Sequence, residues 1–458
     1  MNHHRLIEDS ELPLYSLELI FATSSTLFSQ GLHEGVATYD LMVRDIPKHR
    51  NFLLAGGLEA IIQYISELHF SEDQVKYLLE AKRVSSSFAE YLRKFKFTGS
   101  ILAMPEGTLH FPSEPMLRVT APLVEANLIT DLLIHLSHID TLLLSKLARL
   151  HIAADGRAAI AVGTIRAQGV DAGWRACRAA TFFEGMRFSN AAASMRLGVE
   201  AATPIMVGNH AFIKAFPSEF EAMRAFTAEV PTATPMIDTY DVRMGIANAI
   251  TIADELKTSG RELFAVCIDS GDVAETAHYA REQLDRAGHR DTKIAIAGNM
   301  DEYKIKKILD DGVPVQAFLV VTEVVTSADE PKLEMVYKLA QLEYRGEIKQ
   351  KAKFADGKAS LPGVKQVYRT VKSGQIAGDI IGLEGENLGL PLLVPVFKGG
   401  KLVYQMPSPE ERRAYVEEQL SLLPVAHRDL TTPQEPLVSV SKGVGDLVEQ
   451  VRAEHVTP

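Results

Sequence analysis

Between about residues 158 and 335 the chain repeats one pattern: a short apolar run, a polar stop, then a helical stretch. The runs are Ala158–Val162, Pro204–Val207, Met236–Asp238, Leu263–Ile268, Lys293–Ala297 and Ala317–Val321. Runs this short and uniformly apolar suit strands buried on both faces, and a parallel sheet flanked by helices buries them that way. The rhythm therefore predicts an α/β fold, either a parallel barrel or a doubly wound sheet. Its fullest example is LFAVCIDSGD, Leu263–Asp272, where the apolar run stops in two carboxylates, a hydroxyl and a glycine. Asp272 alone reads as the cap of a helix starting near Val273.

Either side of this core the pattern changes. Leu17–Gln30 reads as a helix ending at Gly31, Ala37–Arg44 as a strand, Leu58–Leu68 as an amphipathic helix, and Ser71 as the cap of a helix through Leu79. Pro105–Val119 carries turn signals, and Glu125 to about His151 reads as one long apolar helix. Its His135 and His138 have no carboxylate or cysteine beside them and read as packed or surface histidines. From about 335 alternating strands with Gly/Pro turns return, a helix starts near Pro409, and the tail beyond about 424 reads as loosely ordered.

Composition narrows the function classes. The chain has 458 residues, 46% hydrophobic and 23% charged, which is ordinary for a globular protein. A net charge of −11 without a basic block argues against nucleic acid as the main partner. No apolar run approaches the roughly 18 residues of a membrane span. The first residues lack a signal-peptide core, so the expected location is the cytoplasm. Cys177 and Cys267 are the only cysteines, which supports neither a disulfide framework nor a thiolate metal site.

Chemistry-bearing residues collect where the predicted strands stop. They are Arg166 with Gln168; Asn209-His210; Asp238-Thr239-Tyr240-Asp241; Asp269-Ser270-Gly271-Asp272; and Gly298-Asn299 with Asp301-Glu302. In a barrel these loops face one mouth. Arginine suits a planar anion, and carboxylates suit a metal or a ribose diol. A histidine beside an aspartate suits acid/base work or phosphoryl acceptance.

The ordered set of motifs resembles nicotinate phosphoribosyltransferase. It comprises Arg166–Asp171, Ser189-Asn190, His210 with Ser218-Glu219, Asp238–Asp241, Asp269–Asp272, Asp301–Tyr303, Val325–Ser327, Val336–Leu339, Leu361–Arg369 and Pro391–Val396. Upstream, Phe70–Asp73 and Glu106–Val119 fit as well. The resemblance implies an irregular α/β barrel over residues 151–340. It also implies an N-terminal α+β domain over 1–150, with a C-terminal segment, 341–458, packing against it. A homodimer with active sites at its interface is implied too. The implied reaction joins nicotinate, or a similar pyridine base, to phosphoribosyl pyrophosphate, with Mg2+ expected and ATP as an optional co-substrate. His210 matches the family's phosphorylated histidine, Asp238 its partner carboxylate and Asp269 a ribose-binding carboxylate. Asp272, Ser189 and Asn190 fall on site positions, and Phe21 matches a ring-stacking tyrosine.

The departures lie in the anion-binding residues. Two consecutive arginines become Ile165-Arg166, and an arginine before D-S-G-D becomes Cys267. A G-F-D-G-T becomes Glu184–Phe188, and S-N-D becomes Ala297-Gly298-Asn299. The phosphate loop G-V-G-T-R reads Leu319-Val320-Val321-Thr322-Glu323, so Leu319, Val321 and Thr322 would line the donor's phosphate side. Bare backbone N–H groups cradle phosphate, and leucine and valine side chains would occupy that space. Three readings stay open: the family's transferase, a non-catalytic paralogue, and an enzyme whose donor or acceptor lacks the phosphate.

Overall fold

Short, mostly buried apolar runs form parallel strands at five of the six places the rhythm predicts, while beside Met236–Asp238 the strand is Ala233–Pro235 and Met236 adds only a bridge. The computed structural model describes residues 9–199, 205–355 and 357–455. It divides into two compact units, one of residues up to Ser145 together with those from Lys332 onward, the other Lys146–Pro331.

In the second unit the strands are β1 (Ala159–Gly163), β2 (Met186–Ser189), β3 (Met206–Gly208), β4 (Ala233–Pro235), β5 (Ala265–Ile268), β6 (Lys293–Ile296) and β7 (Ala317–Val320). All pairings are parallel. β3 pairs β4, a bridge from Met236 to Cys267 joins β4 to β5, and β5, β6, β7, β1 and β2 follow in order. The last strand thus lies beside the first. No pairing joins β2 to β3 among the described residues. Cys267 stands opposite Ala295, Ala295 opposite Ala317, and Leu319 opposite Ala161. One face of this array is closed by Met236, Cys267, Ala295 and Ala317, with Ile213 and Phe212 from the helix after β3 and Leu319 packed on it.

The helix expected near Val273 starts there, and loop residues cap it and its neighbours. Asn190, Asn209, Asp241, Asp272 and Asp301 each accept a backbone N–H of the first turn of the helix they precede. Such a cap is worth about 1 kcal/mol.

The first unit is woven from both ends of the chain. Its seven-stranded antiparallel sheet runs Glu347–Gln350, Met335–Tyr344, Val36–Val43, Leu117–Pro122, Ser100–Ala103, Val394–Lys398, Lys401–Leu402. Because Met335–Tyr344 is paired along its length with Val36–Val43, the boundary falls at 331/332 rather than 340. The other falls inside the helix Thr130–Ala154, at 145/146 rather than 150. The apolar stretch expected as one helix is two, Leu123–Leu128 and Thr130–Ala154, broken at Ile129. The tail is ordered as well: Val438–Val440 adds a parallel strand to Gln375–Leu383, and Lys442–His455 is helical.

Within this unit the motif Leu361–Arg369 is architectural. Buried Lys365 pairs with Asp40 at 2.7 Å and donates to the carbonyls of Leu361, Pro362 and Gly363. Buried Arg369 grips Asp379 through two bonds of 2.9 and 2.6 Å. Next to it His110 is wholly buried, and burial foremost, with the charge of Arg369 adding, pushes its pKa down to about 4. An imidazole held below its ordinary value favours the neutral folded state. Its contribution is complete above about 6.5 and is lost as pH falls toward 4, by roughly 3 kcal/mol. Denaturant midpoints measured from pH 7 to 4 should show this loss in the native protein, and His110→Asn should flatten it. Parallel pH curves for the two would remove His110 as the cause.

Candidate active site

Every candidate from the strand ends lies in the Lys146–Pro331 unit, and the structure sorts them by what their side chains already do. Asp241, Asp272 and Asp301 are occupied as caps. Asp272 Oδ1 accepts from the N–H groups of both Ala274 and Glu275. Asn190 is committed on both sides, its Oδ1 accepting from Ala193 N–H at 3.0 Å and its Nδ2 donating to Thr164 Oγ1 at 3.2 Å. Ser189, just before it, is exposed.

His210, Asp238 and Asp269 come together. Met236 bridges Cys267, and this register brings the residues just past β4 beside those just past β5. Asp238 Oδ2 then accepts the backbone N–H of Asp269 at 2.9 Å and the hydroxyl of Ser270 at 2.7 Å. Asp238 thereby fixes the D-S-G-D loop. Of the carboxylates expected beside His210, Asp238 or another, it is Asp269 that faces the ring. His210 Nδ1 lies 3.0 Å from Thr239 Oγ1, and Nε2 lies 3.5 Å from Asp269 Oδ2. The half-exposed Asp269 is the carboxylate facing the ring, while Asp238 holds Asp269 in place. Thr239 and Ser270, with no role assigned from the sequence, are the linking hydroxyls; their signal was their place inside the two acidic motifs.

On the neighbouring loop Gly298 has φ +94°. A Cβ there would come within 3.0 Å of the Asp269 carbonyl, so only glycine lets the two loops approach. Asn299 is exposed, and its carbonyl accepts from Lys304 Nζ at 2.6 Å.

Past β7 and β1, Arg166 donates to Thr322 Oγ1 at 3.3 Å. Leu319 packs with the apolar face that holds Cys267 and Ala295, and a Cβ on Gly163 would meet Val321 Cγ2 at 3.0 Å. Glu323 is half-buried, and among the described residues no cation pairs with it. This loop is thus apolar over Leu319–Val321, with Arg166 bonded to its Thr322.

Phe21 is corrected by the structure. It lies in the first unit's core, edge-on to Phe70 with centroids 6.3 Å apart. A ring enclosed there offers no face for stacking. Its helix is amphipathic only weakly, so spacing could not show which aromatic face turns inward. Of the two histidines, His138 Nε2 accepts the N–H of Leu333 at 2.9 Å and His135 stands edge-on to Tyr15.

Comparison with known proteins agrees with these observations. Models of the nicotinate phosphoribosyltransferase N-terminal and C-terminal domains match residues 20–137 and 390–448. Nicotinate phosphoribosyltransferase pncB2 of Mycobacterium tuberculosis is 33% identical over 424 residues, 92% of this chain and 90% of that one. The nicotinate phosphoribosyltransferase of Bacillus subtilis is 31% identical over 464 residues, 95% and 94% of the two chains. In structure, human nicotinic acid phosphoribosyltransferase superposes with a TM-score of 0.82 at 23% identity, over 95% of this chain and 99% of that one. About a third of the positions are shared with these bacterial relatives along nearly the whole length, and the chain belongs to the nicotinate phosphoribosyltransferase family.

Proposed function

We propose that this protein transfers the phosphoribosyl group of phosphoribosyl pyrophosphate to nicotinate, giving the mononucleotide and pyrophosphate, as its relatives' names describe. The observation carrying this is the convergence of His210, Asp269 and Asp238 at adjoining strand ends in a chain alignable end to end with those enzymes. Displacement at the sugar carbon develops positive charge there, and a carboxylate held in advance stabilises it without reorganising. Asp269 is such a group, because Asp238 and Ser270 fix its loop. Incubating the purified protein with both substrates should yield mononucleotide and pyrophosphate in equal amounts. No product at saturating concentrations of either substrate would end this reading.

ATP enters as an optional co-substrate through His210. Thr239 takes Nδ1, which leaves Nε2 on the side of Asp269 as the nitrogen to accept a phosphoryl group. His210→Ala should abolish stimulation by ATP and leave slow transfer. Thr239→Val, which frees the ring tautomer, should lower the stimulated rate by roughly 10-fold or more. A Thr239→Val variant with full stimulation would count against this role for Nδ1. Among the described residues no group of three or more His, Cys, Asp or Glu side chains is placed to hold a metal ion. Mg2+ commonly rides on substrate phosphates, and no step is assigned to it.

Three finer points belong to the same reading. The pairing of β7 with β1 supports an irregular barrel, open between β2 and β3. Ile165, Val170 and Met195 stand 83%, 94% and 89% exposed around the strand ends, which supports a homodimer covering them. Among the described residues no helix is long and apolar enough to cross a membrane, and both cysteines are free and buried. Cytoplasmic residence accords with both.

A second reading keeps a specific support: the partly exposed Leu319 and Val321 suit a donor or acceptor lacking a phosphate.

A further inference from the structure

Strand β7 pairs with β1 in parallel, Leu319 opposite Ala161 and Val320 opposite Val162, so the residues just past the two strands lie side by side. Arg166, past β1, is exposed, and its one hydrogen bond among the described residues runs from Nη1 to Thr322 Oγ1 at 3.3 Å. That bond leaves the Nε–Nη2 edge of the guanidinium open, and such an edge receives a planar carboxylate through two parallel bonds. Thr322 is fixed in turn, because its carbonyl accepts the hydroxyl of Thr326 at 2.7 Å and the Thr326 N–H at 3.2 Å. Next to this cation the wall is apolar. Leu319 and Val321 are partly exposed, and Val321 comes up against Gly163 at the end of β1.

We propose that Arg166, held by Thr322, is the specificity-determining residue that takes the carboxylate of the pyridine base, with Leu319 and Val321 beside its ring. The identity of that base rests on the transferase reading. One planar cation next to an apolar wall suits an aromatic monoanion better than a phosphate. A phosphate would need the bare backbone N–H groups whose approach the side chains of Leu319 and Val321 block. Glu323, half-buried beside Thr322, separates the two anions further. It repels the single charge of a carboxylate once and a phosphate dianion about twice as strongly. Thr322 acts through Arg166 as a positioning residue. Its hydroxyl limits the freedom of a long exposed side chain, so less entropy is lost when the carboxylate binds.

The test is calorimetric titration with nicotinate and with nicotinamide, the uncharged amide of the same ring, each with and without pyrophosphate. No turnover is needed, so the result is read separately from the transfer reaction. The native protein should prefer nicotinate. Arg166→Gln should weaken nicotinate roughly tenfold or more, the worth of a charge-assisted bond, and leave nicotinamide unchanged. Arg166→Lys keeps the charge but not the planar fork and should recover only part of that loss. Thr322→Val should weaken nicotinate alone by about threefold or more, and Thr322→Ser, which keeps the hydroxyl, should recover most of it. An equal loss for both bases in Arg166→Gln would mean a structural role and overturn the proposal. So would a native protein without preference, or an unchanged nicotinate affinity in Arg166→Gln. If product forms while Arg166→Gln keeps its affinity, the transferase reading stands and only this assignment falls. A native protein that binds neither base and forms no product removes both together.

Discussion

Glu302→Gln is expected to lower the stability of the Lys146–Pro331 unit by about 3–5 kcal/mol, the usual cost of breaking a buried ion pair from one side. Glu302 opens the helix Glu302–Asp310 and is fully buried. Its two oxygens are taken by two equally buried cations, Lys146 Nζ at 2.6 Å and Arg149 Nε at 2.7 Å. Lys146 also reaches Asp329 at 2.8 Å, and Arg149 reaches the hydroxyl of Tyr303 at 2.8 Å. Burial alone would raise the Glu302 pKa, but the two cations outweigh it and hold the carboxyl below its ordinary range. A depressed carboxylate contributes its stability above its unfolded value, about 4.3, and loses it as pH falls through the lower folded one. The unit should therefore loosen in acid below about pH 4, and Glu302→Gln should remove that part of the acid dependence. Trp174 is the chain's one tryptophan and lies in this unit, so its fluorescence during denaturant unfolding reads the effect. Pairing the change with Lys146→Met should restore part of the loss, because a buried charge then leaves with its partner. An unchanged midpoint for Glu302→Gln would mean that solvent already reaches the cluster.

That cluster also shows where sequence reading stops. Glu302 was legible as a polar residue past a strand, but not as a structural anion. Its partners Lys146 and Arg149 lie far upstream on an apolar helix. The strands were legible because β5 is buried at every position, so its run is continuous. β2 escaped notice because its residues are alternately buried and exposed, as suits the outer strand of the array. The break at Ile129 carries no glycine or proline to mark it. Which aspartate faces His210 is set by register. One bridge, Met236 to Cys267, decides that Asp238 binds the next loop's backbone and leaves Asp269 to the ring. Register between strands so far apart in sequence has no local signature.

Joint replacement of Leu319→Gly, Val321→Gly and Glu323→Arg is expected to tighten binding of phosphoribosyl pyrophosphate by about 10²–10³-fold. Charge-assisted hydrogen bonds are worth roughly 1.5–3 kcal/mol each, and 1.4 kcal/mol is about tenfold. Leu319 now packs with Cys267 and Ala295, and Val321 lies against Gly163, so side chains fill the space where backbone N–H groups would approach a phosphate. Glu323 is half-buried with no cation on it among the described residues. At about 5 Å and an effective dielectric near 20, it would repel each unit of phosphate charge by roughly 3 kcal/mol before screening. Arg166, tied to Thr322, offsets part of that. Glu323→Gln alone should therefore gain about tenfold at low salt and less at high salt, because the interaction is screened. Calorimetric titration of the native protein and both variants reads all of this at once. Tight native binding with no gain in either variant would show that this loop does not face the phosphate. Other cations near the strand ends, such as Arg187 or Arg243, would then carry the anion. Weak native binding with the expected gain would instead mark the loop as the point where this chain has moved away from a phosphorylated donor.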